Sequence, residues 1–238
     1  MTIFGNPCRW DEGNSIGLQG APMIPLHCQH ISCRRPAWNG RNPVAVEDFS
    51  GLFEEGTVTA FRCSGDGKTG LLMNILGMIE RPDSGEIHVL GKAVLEMESE
   101  SAHRLRDGAF GYLFTHPHLL PSFTVAENIA MPYLRHHGNS IDSARDRIAE
   151  VLEVSGLPLP SANLAVANLD EESLWRVAFA RSIVHHPKIL VAVSPPAAFL
   201  IPLAKAHALA TGLVVLWNAG DTPAVAPCDG LLASEKTK

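Results

Sequence analysis

The segment Ser64-Gly65-Asp66-Gly67-Lys68-Thr69-Gly70 lies between a β-forming run and a helix-forming run. Glycines there let a backbone wrap an anion closely, and amides at a helix start point at it with the helix dipole behind them. Lys68 and Thr69, directly after a glycine, would add a cation for terminal phosphates and a hydroxyl for magnesium. Gly65, Gly67, Lys68 and Thr69 fill four places of GxxxxGK[ST], or of its GxxGxGK[ST] form. Arg62 stands where the leading glycine belongs, and a side chain there strains or reshapes the turn. Asp66 sets a negative charge beside the phosphates. An ordinary strand-to-helix turn containing Gly-Lys is the alternative, and the strand–loop–helix context favours the phosphate loop. Whether that loop still holds ATP stays open at this point.

Such a loop needs a rigid frame. Thr57–Cys63 (TVTAFRC) predicts a buried strand entering it, and Lys68–Ile79 (KTGLLMNILGMI) an apolar helix leaving it. Short β-type runs from Pro25 to Ala60 predict a small antiparallel region, and Arg81-Pro82-Asp83-Ser84-Gly85 a turn. Ala109–Phe114 predicts a strand, the stretch near Val125–Met131 a helix, and Ser143–Ser155 a helix with Ile148, Val151, Leu152 and Val154 at helical spacing. Asp170 caps a predicted helix Glu171–His185, whose first-turn acids suit the dipole. Lys188–Val193 and Leu213–Trp217 read as core strands of the parallel type. Strands alternating with helices make an α/β fold with a mainly parallel sheet.

Composition narrows the partners. With 46% hydrophobic and 18% charged residues, 238 residues can bury a sizeable core. A net charge of −6 without a dense Lys/Arg cluster argues against a nucleic-acid partner. Five scattered cysteines suit a reducing compartment better than a disulfide framework. His27, Cys28, His30 and Cys33 match no common zinc spacing and read as strand and loop residues. His136-His137 and His185-His186 read as helix-end and loop residues. The apolar stretch Ile189–Trp217 is interrupted by Pro195, Pro196, Pro202, Lys205, His207 and Gly212, so it predicts strand, helix, strand and no membrane insertion. Residues 1–24 lack periodicity and a secretory signal, and predict a loosely held extension.

Two long stretches point further: His118-Leu-Leu-Pro-Ser-Phe-Thr-Val-Ala-Glu-Asn-Ile-Ala-Met-Pro132 and Arg176-Val-Ala-Phe-Ala-Arg-Ser-Ile-Val-His-His-Pro187. With the loop, they make the chain from about Pro25 to Ala233 resemble the ATP-binding subunit of ABC transporters, in the branch serving lipoprotein release, macrolide efflux and cell-division permeases. The resemblance implies a P-loop NTPase-like, ABC-type nucleotide-binding domain over residues 25–238. It implies an antiparallel β subdomain and a helical subdomain at about residues 115–185. ATP and magnesium are the implied cofactors, with Ser64 to Gly70 on the phosphates and Thr69 on the metal. The adenine-stacking aromatic is missing near Arg35, and Trp38 is a possible substitute. The implied partners are a transmembrane permease subunit and a second ATP-binding subunit, identical or different, that sandwiches two ATP molecules. The implied location is cytoplasmic, peripheral at the inner face of the cell membrane.

This chain departs from the family pattern at the positions that do chemistry. Thr115 falls at the metal-sensing glutamine, and Leu169-Asp170-Glu171-Glu172-Ser173 falls on the LSGGQ signature. Val193-Ser194 stands for the Asp-Glu pair, Leu200 for the D-loop aspartate, and Gly220, or Ala219, for the switch histidine. Losing a general base alone costs about 10²–10⁴ in rate. We therefore expect a degenerate, non-hydrolytic subunit with a structural or regulatory role. The alternatives are an active ATPase with His116, His118, Asp221 or Asp229 as stand-ins, and a soluble protein-binding scaffold.

Overall fold

Alternation along short strands sets the layers of the chain. The computed structural model describes residues 24–37, 42–63, 67–137, 140–193, 195, 199–218 and 230–234. In order come β1 (Leu26–Arg35), β2 (Val44–Phe53), β3 (Val58–Cys63), α1 (Lys68–Leu76), β4 (Ser84–Val89), β5 (Lys92–Ala93) and α2 (Ser99–Ala109). After them come β6 (Phe110–Leu113), α3 (Val125–His137), α4 (Arg145–Val154), α5 (Glu171–Ile183), β7 (Ile189–Ala192), α6 (Leu200–Thr211), β8 (Val214–Asn218) and β9 (Gly230–Ser234). One sheet is parallel, ordered β6-β7-β8-β3-β9, and the other antiparallel, ordered β2-β1-β4-β5.

Successive side chains of a strand point to opposite faces. Ile189 and Val191 of β7, with Val214 and Leu216 of β8, enter a core shared with α1 and the antiparallel sheet. Leu190 and Ala192, with Val215 and Trp217, enter a second core against α3, α4, α5 and α6. Covering both faces is why these strands are continuously apolar. The α/β architecture with a mainly parallel sheet is thus the observed one.

Tertiary packing moves several boundaries from their expected places. Helix α1 ends at Leu76 and not at Ile79, because Gly77 ends the helix and Met78 turns to a left-handed φ of 54°. Tyr112 Oη donates to the freed Gly77 carbonyl at 2.6 Å. Helix α3 runs past Met131 through Pro132 to His137. A helix-interior proline costs about 3 kcal/mol, which burial of several apolar groups offsets at roughly 1.5–3 kcal/mol each. The buried Val125 and Ile129 and the partly buried Tyr133 and Leu134 supply them.

Ser84 and Gly85, expected in a turn, begin β4. Gly85 sits at φ 103° opposite the irregular part of β1, where a Cβ would lie 2.6 Å from the His30 carbonyl oxygen. Helix α2, from a stretch with no predicted element, is mostly polar and buries Ala109. The apolar stretch Ile189–Trp217 folds as β7, α6 and β8. No helix among the described residues is long and apolar enough to cross a membrane.

Candidate functional site

Strand β3 is flanked by β8 and β9, so the loop after it opens at the C-terminal edge of the parallel sheet. In open α/β sheets that edge is where ligands bind. Gly67 adopts φ 83° and ψ −12°, a left-handed conformation. A Cβ there would also come within 3.3 Å of Val44 Cγ2 on β2. Leu71 N–H donates to the Gly67 carbonyl at 2.9 Å, which starts α1. Lys68, Thr69 and Gly70 form its first turn, without an acidic residue. Lys68 and Thr69 are half-buried, and a Cβ on Gly70 would meet nothing within 4 Å. Unpaired helix-start amides suit an anion. Ser64, Gly65, Asp66 and Trp38 lie outside the described residues.

Val193 follows the last residue of β7, two strands from β3. Its N–H donates to the Leu113 carbonyl at 2.7 Å, continuing the ladder to β6. Its side chain packs against the core that includes α1. An aliphatic group at that edge neither holds a cation nor accepts a proton. Ser194, Ala219, Gly220, Asp221 and Asp229 lie outside the described residues. No group of three or more His, Cys, Asp or Glu among the described residues is placed to hold a metal ion.

Thr115 is exposed in the segment after β6. The exposed His116 and His118 rings meet edge to face at 5.9 Å, with Phe114 beside His118 at 6.0 Å. Arg181 of α5 holds this segment, donating to the Pro117 carbonyl at 2.6 Å and the His118 carbonyl at 2.7 Å. Burial lowers the Arg181 pKa from its ordinary value, and the guanidinium remains charged.

Helix α5 starts on a side-chain cap, with Ser173 N–H donating to Asp170 Oδ1 at 2.7 Å. The hydroxyl and amide of Ser173 hold the Asp170 carboxyl below the usual carboxylate range. Glu171 and Glu172 are exposed in the first turn. Arg176 bonds Glu172 Oε1 at 2.6 Å and the Ser155 carbonyl at 2.7 Å, and its guanidinium lies 5.3 Å from the centre of the Phe199 ring. Leu200 is fully buried at the start of α6.

Arg35 does not take an aromatic residue's place. It pairs with Glu80 and with Asp83 at 3.0 Å, and binds the Arg81 carbonyl at 2.8 Å. The sequence assigned no role to Arg176, Arg181 or Asn128, although all three stand inside the two long stretches. A charged or amide residue among helix-face apolar neighbours is the signal that marks them.

A family model described as ABC transporter matches residues 46–195. The lipoprotein-releasing system ATP-binding protein LolD of Bdellovibrio bacteriovorus is 38% identical over 132 residues, 56% of this chain and 59% of that protein. The macrolide export ATP-binding/permease protein MacB of Burkholderia pseudomallei is 33% identical over 178 residues, 74% of this chain and 26% of that protein. The chain spans less than two thirds of the length of either relative. Among solved structures, the dimeric bacterial ABC transporter cassette MJ0796 aligns with a TM-score of 0.67 at 19% identity, covering 82% of this chain and 88% of that one. The cbiO1 structure from Clostridium perfringens aligns with a TM-score of 0.74 at 19% identity, covering 88% and 84%. Both likenesses concern the fold.

Proposed function

The chain belongs to the ABC transporter family, and from that premise we propose that it is a degenerate, non-hydrolytic ATP-binding subunit of a transporter complex, with a structural or regulatory role. Val193 carries the reading. Phosphoryl transfer to water needs a positioned metal, an oriented nucleophile and compensation of developing charge. At the end of β7, where the family resemblance puts the magnesium-holding acid, a side chain instead packs on the core. Thr69 offers one hydroxyl, so among the described residues the donor set falls short of a magnesium site. The left-handed Gly67 and the first turn of α1 fit a phosphate better. ATP would bind weakly there, through Ser64 to Gly70, with Trp38 against adenine.

Glu171 and Glu172 extend the deficit to a partner. In a head-to-tail dimer, the start of α5 would face the other subunit's phosphates. Two like charges about 4 Å apart repel by about 4 kcal/mol at an effective dielectric of 20. A permease subunit and a competent ATP-binding subunit are the proposed partners. LolD and MacB support this choice, one named as the ATP-binding protein of a releasing system and the other as an ATP-binding and permease protein. The proposed location is cytoplasmic, peripheral at the inner face of the cell membrane.

One observation favours a working ATPase: the paired, exposed imidazoles of His116 and His118 on the segment after β6, the strand beside β7. Phosphate release by the full chain, alone and with its permease, separates the readings. We expect no release above the background of the Lys68→Ala variant. Steady turnover that Lys68→Ala abolishes would overturn the proposal.

A further inference from the structure

All strands of the parallel sheet run the same way, so the starts of β6 and β7 lie at the edge opposite the phosphate loop. There a groove of about 630 Å³ opens between β5, α2 and the turn that carries His186 and Lys188. Its floor is aliphatic, with Leu90, Met97 and Leu105 each resting partly buried on the core. Its rim is cationic, with Lys92, Arg104 and Lys188 all exposed. On a chain of net charge −6, three cations gather around one groove whose lining residues include no Asp or Glu. Arg104 pairs with Glu100 one turn earlier in α2. Exposed pairs of this kind are weak, so the guanidinium can turn to a ligand.

A second, independent feature lies in the same wall. Gly108 occupies the last turn of α2, where glycine weakens a helix through its extra backbone freedom. A Cβ at this position would meet nothing within 4 Å. Nothing among the described residues therefore requires glycine at 108, and the bare, exposed backbone there leaves this wall of the groove open to close approach by another chain.

We propose that this groove binds an acidic, leucine-bearing peptide segment of a partner protein. Its apolar side chains rest on Leu90, Met97 and Leu105, and its carboxylates meet Lys92, Arg104 and Lys188. The apolar floor selects against a wholly charged anion, which gains nothing from it. The cationic rim selects acidic segments over neutral ones.

The test is fluorescence anisotropy of a short labelled peptide alternating glutamate and leucine, titrated with the full chain. We expect saturable binding that Lys92→Glu with Lys188→Glu weakens by about tenfold or more. Gly108→Leu, which adds bulk to this open wall while improving helix propensity, should weaken it by about threefold or more. A glutamate–serine peptide of equal charge should bind about tenfold less tightly. If the charge-reversed variant does not fold, Lys92→Gln with Lys188→Gln should still weaken binding by about threefold. Absence of saturable binding overturns the proposal. So does equal affinity for the folded charge variant, equal binding of the glutamate–serine peptide, or displacement by tripolyphosphate at lower concentration than by unlabelled peptide.

Discussion

Asn128 clamps Leu120 by both backbone groups: its Oδ1 accepts from the Leu120 amide at 2.7 Å, and its Nδ2 donates to the Leu120 carbonyl at 3.1 Å. The same Nδ2 reaches the Thr124 carbonyl at 3.0 Å, and the residue is fully buried. A primary amide supplies one acceptor and two donors from one side chain. Asn128→Leu strands the Leu120 amide and takes one of two donors from the Leu120 and Thr124 carbonyls, which keep the backbone N–H groups of Phe123 and residue 128. Asn128→Asp keeps the acceptor but loses both side-chain donors. Each is expected to lower unfolding free energy by about 1–3 kcal/mol in urea titration. A loss below about 1 kcal/mol would mean that water replaces the clamp.

Gly111 tests how closely β6 approaches the end of α5. A Cβ there would lie 2.1 Å from the Ser182 carbonyl oxygen, a backbone atom that cannot swing aside. Gly111→Ala should cost about 2–3 kcal/mol through overpacking. Gly108→Ala, with open space around its Cβ, should gain about 0.5–1 kcal/mol. The two variants, compared by thermal unfolding, should move in opposite directions.

His185 should make the fold acid-sensitive above the carboxylate range. Its Nε2 lies 3.0 Å from the Phe110 carbonyl, its Nδ1 is buried without a partner among the described residues, and it stacks on His136 at 5.5 Å. Burial lowers its pKa, against a smaller upward pull from the Phe110 carbonyl. A folded value below the unfolded one, about 6.5, means that the unfolded chain takes up the proton first. The contribution is therefore present above about pH 6.5 and is lost as pH falls below it, until His185 ionises in the folded chain. His207, also lowered mainly by burial, acts in the same direction. His185→Gln should flatten the fall in Tm between about pH 7.5 and 5.5. An unchanged fall would remove His185 as its source.

Restoring the two acids should not restore turnover. We expect Val193→Asp with Ser194→Glu to release no phosphate above background, because Glu171, Glu172, Thr115 and Gly220 remain. The new aspartate would also replace an aliphatic group packed on the core, with a stability cost of about 1–3 kcal/mol. Full activity from these two changes would contradict the proposed loss.

Local signals were legible where structure and chemistry are local. Asp170 reads as a cap because a carboxylate three residues before an amide reaches it, and Ser173 N–H does donate to it. The apolar runs at 188–193 and 213–217 read as core strands, and β7 and β8 are interior strands of the parallel sheet. Helix α2 escaped notice because its polar residues follow no strong apolar period. Helix α3 outran its proline because the partners that stabilise it lie elsewhere in the chain.

By itself, the sequence determined the α/β class, the strand–loop–helix around Lys68 and the aliphatic residue at 193, since period, glycine placement and residue type are written in the order of the chain. Tertiary structure alone decided that Arg181 grips the 117–118 carbonyls, that Asn128 holds Leu120, and that three scattered cations rim one aliphatic groove. These depend on where distant backbone carbonyls and strand edges meet, and no local pattern records such meetings.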